Sequence, residues 1–127
     1  MLDHLGVTVS DFKVSRAFYD QALAPLGVAV IMEVSPEETG GSSHAGYGLN
    51  GKPDFWIGTG GWASGGVHVA FTAKDRASVD AFYAAAMAAG GKDNGPPGLR
   101  EHYHPNYYGA FVLDPDGNNI EAVCHNG

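Results

Sequence analysis

The chain contains two copies of one segment, and this repeat constrains the fold more than any other feature of the sequence. When the sequence is slid along itself by 64 residues, segment 4–27 falls on segment 68–91 without a gap, and nine of 24 positions are identical. Chance matching would give roughly one or two identities. The pair His4/His68 and a shared Phe-Tyr dipeptide do not come from the alanine richness of the chain. We therefore predict a duplicated structural unit.

Each copy begins with a pattern that is typical of a β-strand. Leu5, Val7 and Val9 alternate with His4 and small residues, and the second copy alternates in the same way around His68. Because successive strand residues point to opposite faces, the apolar set lies on one face and each histidine on the other. Each histidine therefore shares its face with small residues, which leaves room for a ligand beside the imidazole.

A helix is predicted after each of these strands. Ser10 or Asp11 in the first copy and Asp75 in the second are residue types that favour a helix N-cap. Apolar residues then recur at helical spacing. Three more strands are expected per copy, with a weak one near 99–104 after a DNGPPG loop. The predicted ranges are 28–34, 44–50 and 54–59 in the first copy, and 99–104, 107–113 and 118–124 in the second.

These elements make one α+β domain over residues 1–127, built from two βαβββ modules. The first module covers about residues 1–60 and the second about 67–127, and a glycine-rich linker at 60–66 joins them. The eight predicted strands are consistent with a mixed sheet whose helices cover the apolar face.

The last hairpin can be predicted in register. The turn Leu-Asp-Pro-Asp-Gly-Asn suits a type I turn with Gly117 in the left-handed region and a bulge after it. That register pairs Asp114 with Asn118 and Phe111 with Glu121. The apolar residues of the hairpin fall on the other face, so Glu121 points the way that the two histidines point.

Composition excludes several classes of partner. The net charge is −7, and the seven Lys and Arg residues do not cluster, which argues against nucleic acid and against an anionic membrane surface. The single Cys124 allows no intrachain disulfide, which fits a reducing compartment. The sequence shows neither a signal peptide nor an apolar run of membrane-spanning length. We therefore expect a soluble cytoplasmic protein that binds a small molecule.

Two histidines and one carboxylate are predicted to form a metal site. The repeat relates His4 and His68 by a pseudo-twofold axis, and Glu121 is the carboxylate in an apolar strand run that faces the same side. Such a triad with open positions suits Fe(II), Mn(II) or Zn(II). The alternative interpretation is that these residues are two histidines at strand ends and a surface glutamate.

Segment 100–108 is rich in polar aromatic residues and is predicted to form a pocket wall. In this interpretation His102 or His104 acts as an acid or base, and Tyr107 faces the metal. The alternative is a surface hairpin that uses Tyr and His because they favour strands. A second metal site at His102 and His104 is a weaker alternative, since alternate residues chelate poorly without a third ligand.

The opening HLGVTVSDFKVSRAFYDQALAPLG and the closing DPDGNNIEAV together resemble the vicinal-oxygen-chelate superfamily. This group includes glyoxalase I, extradiol dioxygenases, fosfomycin-resistance thiol transferases and bleomycin-resistance proteins. The resemblance implies a curved mixed eight-stranded sheet that cups the site, with helices on its outer face. It also implies one divalent metal ion, Fe(II), Zn, Mn or Ni, bound by His4, His68 and Glu121, and a homodimer.

The sequence departs from particular members of that superfamily. Glyoxalase I would require a fourth ligand near 55–57, where Phe55, Trp56 and Ile57 stand, so a three-ligand site is expected. Extradiol dioxygenases place a tyrosine where Phe111 stands. Gly6 stands where the fosfomycin enzymes have a hydroxyl residue.

The sequence therefore predicts a metal-dependent enzyme of glyoxalase or dioxygenase type that acts on a small substrate with vicinal oxygens. The alternative is a non-catalytic protein that binds or sequesters a small molecule, such as a drug.

Overall fold

The computed structural model describes all 127 residues, which form two βαβββ modules. The first module contains β1 (Leu5–Thr8), α1 (Phe12–Leu23), a 3-10 turn (Ala24–Leu26), β2 (Ala29–Val34), the one-turn α2 (Pro36–Thr39), β3 (His44–Gly48) and β4 (Phe55–Gly58). The second contains β5 (His68–Thr72), α3 (Arg76–Ala88), β6 (Lys92–Leu99), β7 (Tyr108–Leu113) and β8 (Asn119–Cys124).

Each module has its own four-stranded mixed sheet. The strand orders are β1-β4-β3-β2 and β5-β8-β7-β6, so the predicted modules and the eight strands are confirmed. In each sheet the first strand runs parallel to the last, and the remaining pairs are antiparallel. Within one chain β1 and β5 are therefore both edge strands, and each has one side free of backbone pairing.

The two long helices begin at the predicted aspartates and pack against each other, α1 on the first sheet and α3 on the second. The carboxylates of Asp11 and Asp75 accept hydrogen bonds from the first-turn amides of Val14 and Ser78, at 3.1 and 2.8 Å. No helix is both long and apolar enough to cross a lipid bilayer. The predicted helix-side residues of the last hairpin are all fully buried: Ala110, Val112, Ile120, Ala122 and Cys124.

A buried hydrogen-bond network joins the two modules. The Tyr19 hydroxyl, on α1, donates to the Asp114 carboxylate at 2.5 Å, in the turn between β7 and β8. The same carboxylate accepts from the backbone amide of Asn118, and Gly117 has the expected left-handed φ of 85°. Phe111 pairs with Glu121, which confirms the predicted register.

The prediction was wrong for the sixth strand. It covers Lys92–Leu99 and includes the Gly-Pro-rich segment that the sequence predicts as a loop, whereas residues 100–103 form a turn. Proline is tolerated here because β6 lies at the sheet edge, and two register shifts absorb the irregular residues. The Arg100 side chain compensates for missing backbone hydrogen bonds by donating to the carbonyl oxygens of Pro96, Gly98 and Gly109.

Candidate metal centre

Glu121 lies in the middle of the open face of the second sheet, which we define as the face turned away from the helices. Its neighbours across the sheet are Ala70 on β5 and Phe111 on β7. Only 1% of Glu121 is exposed. A Cβ at Gly109 would lie 3.2 Å from the Tyr107 ring and 3.4 Å from the carboxylate Oε2, so a side chain there would press mainly on the tyrosine that contacts Glu121. The small residues of this face therefore make room for a buried carboxylate.

Both oxygens of this carboxylate have hydrogen-bond partners. Oε1 lies 2.8 Å from Nε2 of His68, and Oε2 accepts a hydrogen bond from the Tyr107 hydroxyl. Removing a carboxylate from water costs several kcal/mol unless such partners compensate it. The predicted proximity of His68 and Glu121 and the predicted inward orientation of Tyr107 are thus present in one cluster.

The Tyr107 phenol is a hydrogen-bond donor at neutral pH. Burial raises the pKa of Tyr107 above its ordinary value, and the hydrogen bond to Glu121 raises it further. The phenol therefore keeps its proton, and that proton points at the carboxylate. This arrangement orients Glu121 rather than supplying a general base.

His4 lies outside this cluster. Its Nδ1 is 2.7 Å from a carboxylate oxygen of Asp3, and 60% of its side chain is exposed. Hydrogen bonds from His4 and then from Lys52 lower the pKa of Asp3. Because Nδ1 is occupied, Nε2 is the ring nitrogen left for a ligand, which is the arrangement that a carboxylate gives to many metal-binding histidines.

The position of His4 separates it from the other two predicted ligands. It lines a groove of about 300 Å³ between the modules, and neither His68 nor Glu121 lines that groove. No group of three or more His, Cys, Asp or Glu side chains in the chain could hold a metal ion. His68 and Glu121 offer nitrogen and oxygen donors that suit a divalent ion, so they fit two of its ligand positions. The third donor is missing within one chain.

The other two predicted acid–base residues lie beside the cluster without contacting it. His102 is exposed and its ring lies 4.2 Å from that of Tyr103, measured between centroids. The His104 ring lies 5.4 Å from that of His125. Neither histidine forms a hydrogen bond to His68 or Glu121, so only Tyr107 among the three predicted residues reaches the buried carboxylate.

The sequence predicts Arg100 only as part of the pocket wall at 100–108, with no separate role for its side chain. Its guanidinium lies over the Phe111 ring, 5.2 Å from the centroid, and the His68 ring lies 6.2 Å from the same ring. The available signal was a lone arginine directly after a glycine- and proline-rich segment, in a chain with few cations. That signal does not indicate on which face of the sheet the Arg100 side chain lies, because the irregular path of β6 determines this position. In the structure the side chain lies on the open face.

Comparison with known proteins gives a consistent result for family and fold. Residues 1–122 match the model of the glyoxalase/bleomycin resistance protein/dioxygenase superfamily. The chain is 31% identical to a glyoxalase/bleomycin resistance protein from Albidiferax ferrireducens T118, with a TM-score of 0.74 and 98% of both chains covered.

Two more distant structures share the fold. A glyoxylase/bleomycin resistance protein/dioxygenase domain from Frankia sp. EAN1pec has a TM-score of 0.72 at 19% identity, with 98% of this chain and 96% of that chain covered. A glyoxalase I mutant from Zea mays has a TM-score of 0.72 at 21% identity. The match covers 96% of this chain and 46% of the maize chain, so this chain spans about half of that length. No curated protein matches the chain.

Proposed function

Because the chain belongs to the glyoxalase/bleomycin resistance protein/dioxygenase superfamily, we propose that it is a divalent-metal-dependent enzyme that acts on a small substrate with vicinal oxygens. One observation carries the proposal: the buried carboxylate of Glu121 faces Nε2 of His68 at 2.8 Å on the open side of a sheet. Neutral hydrogen-bond partners compensate only part of the cost of burying a charged carboxylate, and a bound cation would offset more of it.

We propose that the third ligand is His4 of a second copy of the chain. His4 is exposed, and Asp3 holds its ring so that Nε2 is free. It precedes β1, an edge strand, and His68 begins β5, the corresponding edge strand of the other sheet. A homodimer that sets β1 of one copy beside β5 of the other brings this imidazole toward Glu121. Each dimer then has two identical sites.

The protein's own groups would hold and orient the substrate around the ion. When bound, a divalent metal polarises the oxygens that chelate it and lowers their pKa values. His68 and Glu121 would supply two ligands, and Tyr107 would occupy Oε2 of Glu121, so that Oε1 remains the ligand oxygen. Substrate oxygens would take the open positions. The acid–base roles of His102 and His104 stay predictions, because neither residue contacts this cluster.

Mixing two defective variants tests both parts of the proposal. His4→Ala and Glu121→Gln each remove one ligand, so each pure dimer should lose stoichiometric metal. In a mixed dimer with partner-supplied ligands, one site carries both defects and the other carries none. Because random pairing of equal amounts makes half of the dimers mixed, the co-refolded preparation should regain about one metal ion per four chains, measured by calorimetric titration with Zn(II) and Mn(II). A mixture that regains no metal contradicts the shared site. A wild-type protein that binds no ion contradicts metal dependence.

A second candidate function is non-catalytic binding of a small molecule. The observation that favours it is that one chain alone brings together no three-ligand group. In that case the open face would hold its ligand through Phe111 and neighbouring polar groups, without an ion. Ligand affinity that is unchanged after complete removal of metal would support this function and contradict the enzyme proposal.

A further inference from the structure

We propose that the open face of the second sheet carries a carboxylate-binding subsite at Arg100, so that the substrate is a small organic anion. The subsite lies two strands from Glu121, with the Phe111 ring between them. This inference deepens the proposed function and rests on it only for the opposite end of the substrate, where vicinal oxygens would meet the metal. The anion-binding end rests on Arg100 itself.

The strand register places Arg100 on the same face as the metal ligands. Ala70, Glu121, Phe111 and Gly95 lie opposite one another on the four strands and form one row across the sheet. A Cβ built on Gly95 would lie 2.9 Å from a Phe111 ring carbon and 3.1 Å from Nη2 of Arg100. The guanidinium therefore lies above the end of this row, where Gly95 leaves space for it.

The guanidinium is fixed and has no anionic partner. Its Nη1 donates to the carbonyl oxygens of Gly98 and Gly109 at 2.8 and 2.6 Å, and its Nη2 donates to that of Pro96 at 2.8 Å. These bonds use three of the five N–H groups of an arginine, so Nε–H and one Nη2–H remain. No carboxylate of the chain forms an ion pair with it. A cation that is already fixed binds an anion without a further loss of side-chain entropy.

The spacing of the groups limits the size of the ligand. Neighbouring strands lie about 4.8 Å apart, so β6 and β8 are separated by roughly 10 Å. Phe111, on the strand between them, offers an apolar ring that also contacts the guanidinium at 5.2 Å. A ligand that fits has a carboxylate at one end, a short apolar body over Phe111, and chelating oxygens near His68 and Glu121.

A matched arginine, Arg76 at the start of α3, packs on the other face of β7 and provides the control. Arg76 lies over the Tyr108 ring at 5.1 Å, and Arg100 lies over Phe111 at 5.2 Å. Tyr108 donates a hydrogen bond to Asp80 on helix α3, so this stack faces the helix layer. Each arginine thus makes a cation–π contact with a ring of β7, but Arg76 lies on the helix side of the sheet and Arg100 on its open face.

The test uses metal-free wild-type protein and two probes of the same shape, benzoate and neutral benzamide. Titration is followed by nitrogen-15 NMR of the arginine Nε–H groups and of the β7 amides. We expect benzoate to shift the Arg100 Nε–H and the Phe111 amide, and to bind at least about tenfold more tightly than benzamide, because charge-assisted hydrogen bonds are the stronger ones. Equal affinities, or shifts confined to other residues, would overturn the subsite.

Variants extend the test to the side chain itself. Arg100→Gln should abolish the preference for benzoate, whereas Arg76→Gln should leave it within about twofold. Since Arg100 also binds three carbonyl oxygens, circular dichroism must show that Arg100→Gln is folded. If it is not, Arg100→Lys replaces it, and the loss of the two-donor fork should still weaken benzoate severalfold. An unchanged preference in a folded variant sinks the proposal. Metal binding is measured separately, so a protein that binds benzoate but no metal contradicts the proposed function alone.

Discussion

The two modules share one topology, but their open faces carry different chemistry. Gly6 pairs with Trp56 in the first sheet, and its repeat mate Ala70 pairs with Glu121 in the second. Trp56 therefore stands at the position of the buried carboxylate. By the same register, His44 of β3 corresponds to Gly109 of β7.

Aromatic rings fill the open face of the first module. The His44 ring covers Gly58, where a Cβ would lie 2.2 Å from the ring nitrogen Nδ1. The Trp56 ring covers Gly46, with ring atoms 2.8 and 2.9 Å from the place of a Cβ. In the second module the equivalent space is left for a carboxylate and its partners. The duplication thus produced two similar sheets, and only the second has a buried carboxylate with an imidazole beside it.

The largest expected effect separates these two equivalent positions. Glu121→Gln keeps the size of the side chain but replaces a charged ligand oxygen by a neutral one. We expect the affinity for divalent metal to fall more than about 100-fold, beyond the 10- to 100-fold loss that removal of an outer-shell partner causes. Trp56→Phe, at the repeat-related position, should change it less than about twofold. Calorimetric titration measures both, and similar losses in the two variants would contradict the asymmetry.

A second comparison concerns two buried tyrosines. Tyr19 joins the modules through the buried Asp114, whereas Tyr47 donates at 2.9 Å to Asp20, whose side chain is 42% exposed. Tyr19→Phe should lower the free energy of unfolding by about 1–3 kcal/mol, because a buried carboxylate loses one of its donors and keeps only the Asn118 amide on that oxygen. Tyr47→Phe should cost less, since water can reach Asp20. Urea unfolding measures the two differences.

Tyr19→Phe should also change how the free energy of unfolding depends on pH in alkaline solution. Burial and the Asp114 carboxylate raise the pKa of Tyr19 in the folded chain. Above about pH 10 the unfolded chain loses this proton while the folded chain keeps it, so stability falls as pH rises. Each such tyrosine contributes about 1.4 kcal/mol per pH unit to this fall. Tyr19→Phe should remove one such contribution between pH 10 and 11, and an unchanged slope would contradict the assignment.

Periodicity and turn chemistry were sufficient to predict most of the fold. Alternation placed Glu121 opposite the helix-side residues, the Asp-Pro-Asp-Gly turn gave its pairing with Phe111, and Asp11 and Asp75 gave the helix starts. These features depend on local backbone geometry, so they can be predicted directly from the residues of each segment. The sixth strand was not predicted because hydrogen bonds from the Arg100 side chain replace part of the regular backbone ladder there. The strand propensities of the residues do not reveal such side-chain bonds.

The candidate site could be predicted only in part, for a reason of symmetry. The repeat relates His4 and His68, but it does not say whether their modules meet within one chain or between two. In the structure α1 and α3 pack together and Tyr19 joins the modules to each other, which leaves β1 and β5 as free edges. The proximity of His68 and Glu121 followed from neighbouring strands, whereas the position of His4 depends on how modules assemble.

The smallest expected effect tests how the second module holds its carboxylate. In the first module Ser42, two residues before His44, lies 2.9 Å from the His44 imidazole, whereas Tyr107, two residues before Gly109, reaches Glu121. Tyr107→Phe removes only the hydroxyl, so we expect metal affinity to fall about tenfold, the lower end of the range for an orienting partner.

The neighbouring tyrosine supplies the control for this variant. Tyr103 is 61% exposed, and its ring lies 5.0 Å from that of Tyr107 without its hydroxyl bonding to the carboxylate. Tyr103→Phe should therefore leave metal affinity unchanged, and both variants should keep the wild-type circular dichroism spectrum. If Tyr107→Phe binds metal as tightly as Tyr103→Phe, Glu121 is held by the sheet and His68 alone. The phenol would then contribute only to packing, and the second module would differ from the first by its carboxylate and not by the group that orients it.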